Sequence, residues 1–480
     1  MWNIVVAILG AALLVFIAVL LIRALRFAPY KDYVQDTENI EIDTERVINS
    51  LSELVRCKTV SYRDSSLEDD KEFEKLVSKL PSLHPNVFEK CSFTEISNRA
   101  LLFKWEGESS ETASVMMAHY DVVPADEASW EKPAFEGICE DNILWGRGTL
   151  DTKVTMNAIL CAADKLISEG FVPSEDVYFA FSGSEEINGN GAELIVDYFK
   201  KNGIKLSLVI DEGGAVVENV FPGVKRPCGL IGIAEKGMMN VEFSAESKGG
   251  HASAPKPGSP LVKLSKACEK IESKPFKYNL SLPARFMFRC LGRHSSFLYR
   301  IIFSNLWLFN PVLNLICKKS GGELNALLRT TVAFTQAKGS DAPNVIPTKA
   351  SLTANIRISP DSSVSKTLRQ LKKKVNDKDV NIKVINSIEP SEISFPFGDG
   401  WDKISSSVSE TWQGCIVSPY LMVQCSDSRH YGKICKYVYR FSAMDLTAEE
   451  RASIHGNNEK IRYVCAAKAC EFYLRLLKKC

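Results

Sequence analysis

Between Ala100 and Asp211, strand-like and helix-like segments alternate. The order is ALLFKW, SVMMAHYDVV, a helix from Thr152 to Glu169, VYFAFSG, a helix from Gly191 to Lys201, and LSLVID. This βαβ rhythm predicts an α/β domain with a mainly parallel central sheet and helices on its faces. In such sheets the ligand site lies beyond the carboxyl ends of the strands. His119, Asp121, Glu185, Glu186 and Asp211 all fall there. Five polar residues meeting at one edge argue against a merely solvated face.

The chain has 480 residues, so two folded units are expected. After Gly237 the pattern changes to strand, helix, two strands, helix and strand, closing with VNIKVIN. That order predicts a ferredoxin-like α+β unit inserted into the first, as a lid or dimerisation domain. Between its first helix and second strand lies an aromatic segment, Phe276 to Leu324, containing FLYRIIFSNLWLFNPVLNLI. Arg300 and Asn305 interrupt the apolar run, which favours a helical hairpin packed on the small domain over a membrane-touching element. The expected division is an anchor over 1–26, a catalytic part over 42–237, the inserted unit over 238–388 with its helical insert at 276–324, and a second catalytic part over 389–480.

Val5 to Ile22 is uninterruptedly apolar and long enough to span a bilayer. A cleaved signal peptide is the alternative. Against it, no Lys or Arg precedes the apolar run and no small-residue cleavage site follows. Arg23, Arg26 and Lys31 lie after the run. The positive-inside rule therefore predicts a single-pass membrane protein with its body on the cytoplasmic side. The net charge of +1, with no basic run interleaved with aromatics, argues against nucleic-acid binding. The 14 cysteines form no C-x-x-C pairs, and several sit in apolar stretches, as reduced buried thiols do.

The chemistry-bearing residues are an imidazole-and-carboxylate set. His119 and Asp121, in VMMAHYDVVP, are two apart on a strand and point the same way, as a ligating histidine and its orienting acid would. GRGTLDTK puts Asp151 in a Gly-rich turn at a helix start, where a helix cap is the plainer role. GSEE puts Glu185 and Glu186 after a strand, IDEGG puts Asp211 and Glu212 after the next, and IHGNNEK puts His455 before the last helix. Two histidines with three or four carboxylates and no thiolate suit two catalytic zinc ions per chain, not a structural zinc. Charge balance agrees. Asp151, Glu186 and Asp211 supply three negative charges against four, and a bridging hydroxide supplies the fourth. Glu185 is left over as a general base.

Together these residues resemble the di-zinc carboxypeptidase and aminoacylase family. HYDVVP, GRGTLDTK, GSEEINGNGA, IDEGG, GGHASAP, NVIP, DSRHY and IHGNNEK occur in the family's order from about residue 42 to the C-terminus. NLWLF and FSAMDLTAEERASIHGNNEKI are similar to the carboxypeptidase S branch and its N-fatty-acyl-amino-acid hydrolase relatives. The resemblance implies a hydrolase-like catalytic domain of phosphorylase type with an inserted lid. It also implies a role for each residue. His119, Asp151, Glu186, Asp211 and His455 would hold two zinc ions, with Asp151 bridging and Glu212 the alternative to Asp211. Asp121 would orient His119, and Glu185 would move the proton. His251, which in many relatives reaches a partner subunit's site, would stabilise the oxyanion, and Asn344 and Arg357 would hold the substrate carboxylate.

The implied reaction is hydrolysis of the amide bond preceding a C-terminal amino acid, in a short peptide or in an N-acyl amino acid. A homodimer is compatible with it. One departure is Gln424-Cys425-Ser426, where a Gly-rich stretch is expected before DSR. Two other classes fit less well. A dead binding scaffold would have lost a ligand or the base, and no Ser or Cys occupies a G-x-S-x-G turn.

Overall fold

A computed structural model describes residues 2–29, 38–97 and 99–480. Lys31 lies outside the described residues. Twelve strands of four residues or more are used below: β1 (Ser92–Glu95), β2 (Leu101–Trp105), β3 (Ser109–His119), β4 (Glu175–Ser182), β5 (Leu206–Val217), β6 (Cys228–Glu235), β7 (Gly237–Glu246), β8 (Thr331–Lys338), β9 (Lys349–Ile358), β10 (Val380–Ile388), β11 (Ile416–Met422) and β12 (Val438–Leu446).

Eight of them form one sheet in the order β1-β2-β4-β3-β5-β12-β6-β11. The central strands β4, β3, β5 and β12 run parallel. β1 and β2 add antiparallel on one side, and β6 pairs antiparallel with β12 on the other. The sheet is therefore mixed. Its centre is the parallel sheet expected from the βαβ rhythm, while β6 and β11 form a second parallel pair that runs opposite to it.

Side-chain alternation explains how it is covered. Met116 and Ala118 of β3 join one core with the helices Thr44–Val55, Lys153–Ser168 and Tyr463–Leu477. Val115 and Met117 face the opposite core with Ile195 and Phe199 of the helix Gly191–Lys201. Every residue of β4 is buried, as a strand covered on both faces requires.

The second sheet is antiparallel in the order β8-β9-β7-β10, the strand order of a split βαβ unit. Met239, Val241, Phe243 and Ala245 project from β7 onto Leu264 and Ile271 of the helix Pro260–Ser273 and Leu371 of the helix Val364–Val375.

The aromatic insert departs from the expected hairpin on the small domain. It forms four helices, Leu282–His294, Phe297–Ser304, Leu306–Ser320 and Gly322–Leu327. Met287, Phe288 and Leu291 of the first belong to the core of the large sheet. That helix packs along β11, whose edge would otherwise present unpaired backbone groups. The cause is its apolar stripe at i, i+1 and i+4. The 25-residue N-terminal helix Trp2–Arg26 has a mean hydropathy of 3.3 in its most apolar window, enough by length and composition to cross a membrane.

β6, β12 and the loop after β11 are tied by one buried network. Glu235 Oε1 accepts from Arg440 Nε at 2.7 Å and from Ser428 Oγ at 3.0 Å, and Oε2 accepts from the Ser426 amide at 3.1 Å. Both charged partners are 1% exposed. Removing one leaves the other charged and unpaired, which typically costs about 3–5 kcal/mol. Arg440→Met should therefore lower the urea-denaturation stability by about that much, and adding Glu235→Gln should restore part of the loss.

Candidate functional site

Loops at the carboxyl ends of the parallel strands bring the candidates together. His119 ends β3, Glu185 and Glu186 follow β4, and Asp151 lies two residues before the start of the helix Lys153–Ser168. His455 comes from a distant turn between the helix Ala448–Ser453 and the final strand and helix. Its backbone is left-handed, with φ 60°, which an imidazole-bearing residue adopts at a cost.

Asp151 is the centre of the cluster. Its Oδ1 lies 2.9 Å from His119 Nε2 and its Oδ2 lies 2.9 Å from His455 Nε2. Each half of the site then has one more acid. Glu186 Oε1 is 3.1 Å from His455 Nε2, and Glu212 Oε1 is 3.5 Å from His119 Nε2. The carboxylates of Glu185 and Glu212 and a nitrogen of His119 lie within 4.8 Å of one another.

These separations are short enough for one cation to touch both members of each pair, since two zinc–ligand bonds end to end reach about 4.2 Å. Glu186 Oε1 is moreover buried without a well-aligned hydrogen bond. The donor set, two imidazoles and hard carboxylate oxygens with one carboxylate shared, fits a pair of divalent ions.

The electrostatics say the same. Burial pushes Glu212 up to about 8, aided by Asp151 beside it. Burial also raises Glu185 and Glu186, with neighbouring carboxylates adding to it. The carboxylates of Asp151 and Glu186 raise His455 to about 10. Burial opposes the charge on His119, but Glu212, Asp121 and Asp151 together lift it well above the usual imidazole value. Glutamates and imidazoles whose proton affinities both rise mark a cavity crowded with negative charge, while hydrogen bonds from the same two imidazoles overcome burial and hold Asp151 below the usual carboxylate range.

Supporting residues hold this geometry. His119 Nδ1 lies 3.0 Å from the Asp121 carbonyl and 3.4 Å from its Oδ1. The Asp121 carboxylate also accepts from the amides of Glu185 and Glu186, each at 3.1 Å, and from Ser61 Oγ at 2.6 Å. One acid thus sets both the imidazole and the glutamate loop. Glu459, fully buried, accepts from the amides of Gly148, Leu150 and Asp151 at 2.7–3.2 Å and pairs with Arg147 at 2.7 Å. It clamps the turn carrying Asp151 to the segment carrying His455. Its charged position in IHGNNEK was the available sequence signal.

Asp211 is not part of the cluster. β5 continues through Val217 instead of ending at Asp211, so Asp211 and Glu212 face opposite sides. Both Asp211 oxygens are engaged elsewhere, by the Ser428 amide at 2.8 Å and the Glu212 amide at 2.9 Å. Close strand contact keeps β5 in place here, since a Cβ on Gly214 would meet the Leu230 carbonyl at 1.8 Å. A further acid that sequence reasoning missed is Asp427. It is buried with Arg429 3.8 Å away, and burial pushes it up to about 6.

Asp151, Glu185, Glu186, Glu212 and His455 line a cavity of about 680 Å³. Beside the acids and His455, its wall includes Val217, Leu230, Tyr420, Met422, Met444 and Leu446, together with Gln424 and Cys425. Arg357 Nη1 donates to Cys425 Sγ at 3.6 Å, so this guanidinium reaches the cavity wall. His251 and Asn344 are not on that wall. Both are exposed, on a two-stranded ribbon where His251 pairs with Val345 and Asn344 O accepts from the Ala252 amide at 2.9 Å.

Comparison with known proteins places the chain in a family. The model of Peptidase family M20/M25/M40 matches residues 115–479. A probable carboxypeptidase S-like 2 of Dictyostelium discoideum is 32% identical over 99% of this chain and 94% of its own length. An N-fatty-acyl-amino acid synthase/hydrolase of Xenopus tropicalis is 32% identical over 97% of this chain and 93% of its own. The fold also matches an M20 family metallo-carboxypeptidase from Sulfolobus solfataricus, with TM-score 0.66 at 18% identity, over 90% of this chain and 98% of the other. The chain belongs to Peptidase family M20/M25/M40 and is a hydrolase of its metallo-carboxypeptidase/aminoacylase type.

Proposed function

We propose that the protein hydrolyses the amide bond preceding an amino acid with a free carboxylate, using two zinc ions. The carrying observation is Asp151, set between His119 and His455 with Glu212 on one side and Glu186 on the other. In this assignment His119, Asp151 and Glu212 would hold one ion, and His455, Asp151 and Glu186 would hold the second. Glu212 takes the place expected for Asp211, whose oxygens are occupied. When bound, such ions polarise a carbonyl and lower the pKa of water.

The chain's own residues do the rest. Glu185 shares the cavity with these ligands, and its raised proton affinity suits a group that accepts a proton from the attacking water and returns it to the leaving amine. Asp121 fixes the tautomer and plane of His119. Arg357, at the wall beside Cys425, presents a planar fork suited to the substrate carboxylate. His251 and Asn344, exposed and away from the cavity, would serve the site of a second copy in a homodimer.

Short peptides and N-acyl amino acids both carry such a bond. The apolar wall formed by Val217, Leu230, Met422, Met444 and Leu446 favours an acyl chain over a peptide backbone, which would bring amides needing partners. We also read the N-terminal helix as a membrane anchor with the body on the cytoplasmic side, as its trailing Arg23 and Arg26 favour.

Two outcomes are expected. Glu185→Ala should lower kcat by about 10²–10⁴-fold with bound metal and thermal stability kept. Unchanged turnover would remove Glu185 from the role. Across N-acyl amino acids of rising chain length, kcat/KM should rise by up to about fourfold per methylene until the wall is covered, from about 0.8 kcal/mol per buried CH₂. A flat series with rapid dipeptide cleavage would favour the peptidase reading.

A further inference from the structure

The helices Phe297–Ser304 and Leu306–Ser320 meet at a 105° bend and carry large apolar side chains outward. Leu298 is 75% exposed, Leu315 66% and Trp307 59%. At ~1.5 Å per residue the two helices are ~12 and ~22 Å long, each too short to cross a ~30 Å hydrocarbon core. A patch of this kind needs a cover.

The N-terminal helix identifies that cover. The Phe16 and Trp307 rings meet edge to face, 6.3 Å apart. Phe16 lies six residues, ~9 Å along the axis, inside the end of the apolar run at Ile22. Wherever Phe16 sits in a bilayer, Trp307 sits beside it. The bend itself is suited to such a place. Its freed carbonyl, on Ser304, accepts from Arg23 Nη2 at 2.9 Å, and Asn305 Nδ2 donates to Ile301 O at 2.9 Å and Leu20 O at 3.3 Å. Broken helices are tolerated at membrane depth where the protein itself satisfies the backbone. Among the described residues, Asn305 Oδ1 and Arg300 Nε have no hydrogen-bond partner.

We infer that this bent pair is a second membrane-inserted element, dipping into the same leaflet as the end of the N-terminal helix. The inference rests on reading that helix as an anchor. It has a consequence for the site, because Gly321 joins the pair directly to the helix Gly322–Leu327, whose Gly322, Glu323 and Ala326 line the catalytic cavity. The cavity wall is thereby tethered to the bilayer surface, where long-chain acyl substrates partition.

The test uses the full chain in phosphatidylcholine/phosphatidylserine vesicles whose acyl chains are brominated, with flotation and tryptophan quenching read together. The wild type should float and be quenched. Trp307→Phe should float equally but lose the share of quenchable emission that Trp307 carries. Leu315→Glu, which charges the exposed face, should float while Trp307 quenching falls. A floating protein whose quenchable emission is the same in wild type and Trp307→Phe overturns the inference and leaves the anchor standing. So does cross-linking of Trp307 to a second copy with no quenching. Failure to float overturns both. None of these readouts depends on turnover, so the catalytic assignment stands or falls separately.

Discussion

Negative charge packed where water is scarce is the constraint on which this site depends. Asp151, Glu186 and Glu212 crowd around two imidazoles at the carboxyl edge of the parallel strands. Buried carboxylates are tolerated only when paired, protonated or bound to cations. Protonation would spoil them as ligands, so the arrangement makes sense as a receptacle for divalent ions. Much of the surrounding structure is the cost of holding the acids in register. Asp121 ties the glutamate loop to His119, and Glu459 ties the Asp151 turn to the His455 segment. Glu235 and Arg440 anchor the neighbouring Ser426–Ser428 loop to the sheet.

The residues that could be read from sequence were those whose position followed from one local rule. His119 and Asp121 sit at the end of an apolar strand, Asp151 in a Gly-rich turn before a helix, and Glu185 and Glu186 just past a buried strand. A parallel sheet collects all such ends at one edge, so their meeting was legible before any coordinates. His455 was legible only as part of a set, because its link to Asp151 spans most of the chain.

The rest depended on facts that sequence periodicity does not carry. Asp211 and Glu212 differ by one position in a strand, and one position reverses the face. Deciding between them required knowing that β5 runs on to Val217. The mixed edges of the large sheet escaped because β1 and β2 are short and β6 is buried along its whole length, and pairing direction leaves no local mark. The insert is helical, but Met287, Phe288 and Leu291 cover a strand, β11, that lies over a hundred residues later, a pairing that no local pattern announces. His251 and Asn344 were placed with the substrate by resemblance alone, and the fold sets them on an exposed ribbon away from the cavity of their own chain.

The claim that this acidic cavity is built around two cations is tested most directly by counting them. The full chain, purified without chelator and dialysed against zinc at limiting free concentration, should retain two zinc ions per chain by elemental analysis. His119→Ala and His455→Ala should each reduce that number toward one. A wild-type chain that retains less than one ion, or variants that retain as many as the wild type, would contradict the account.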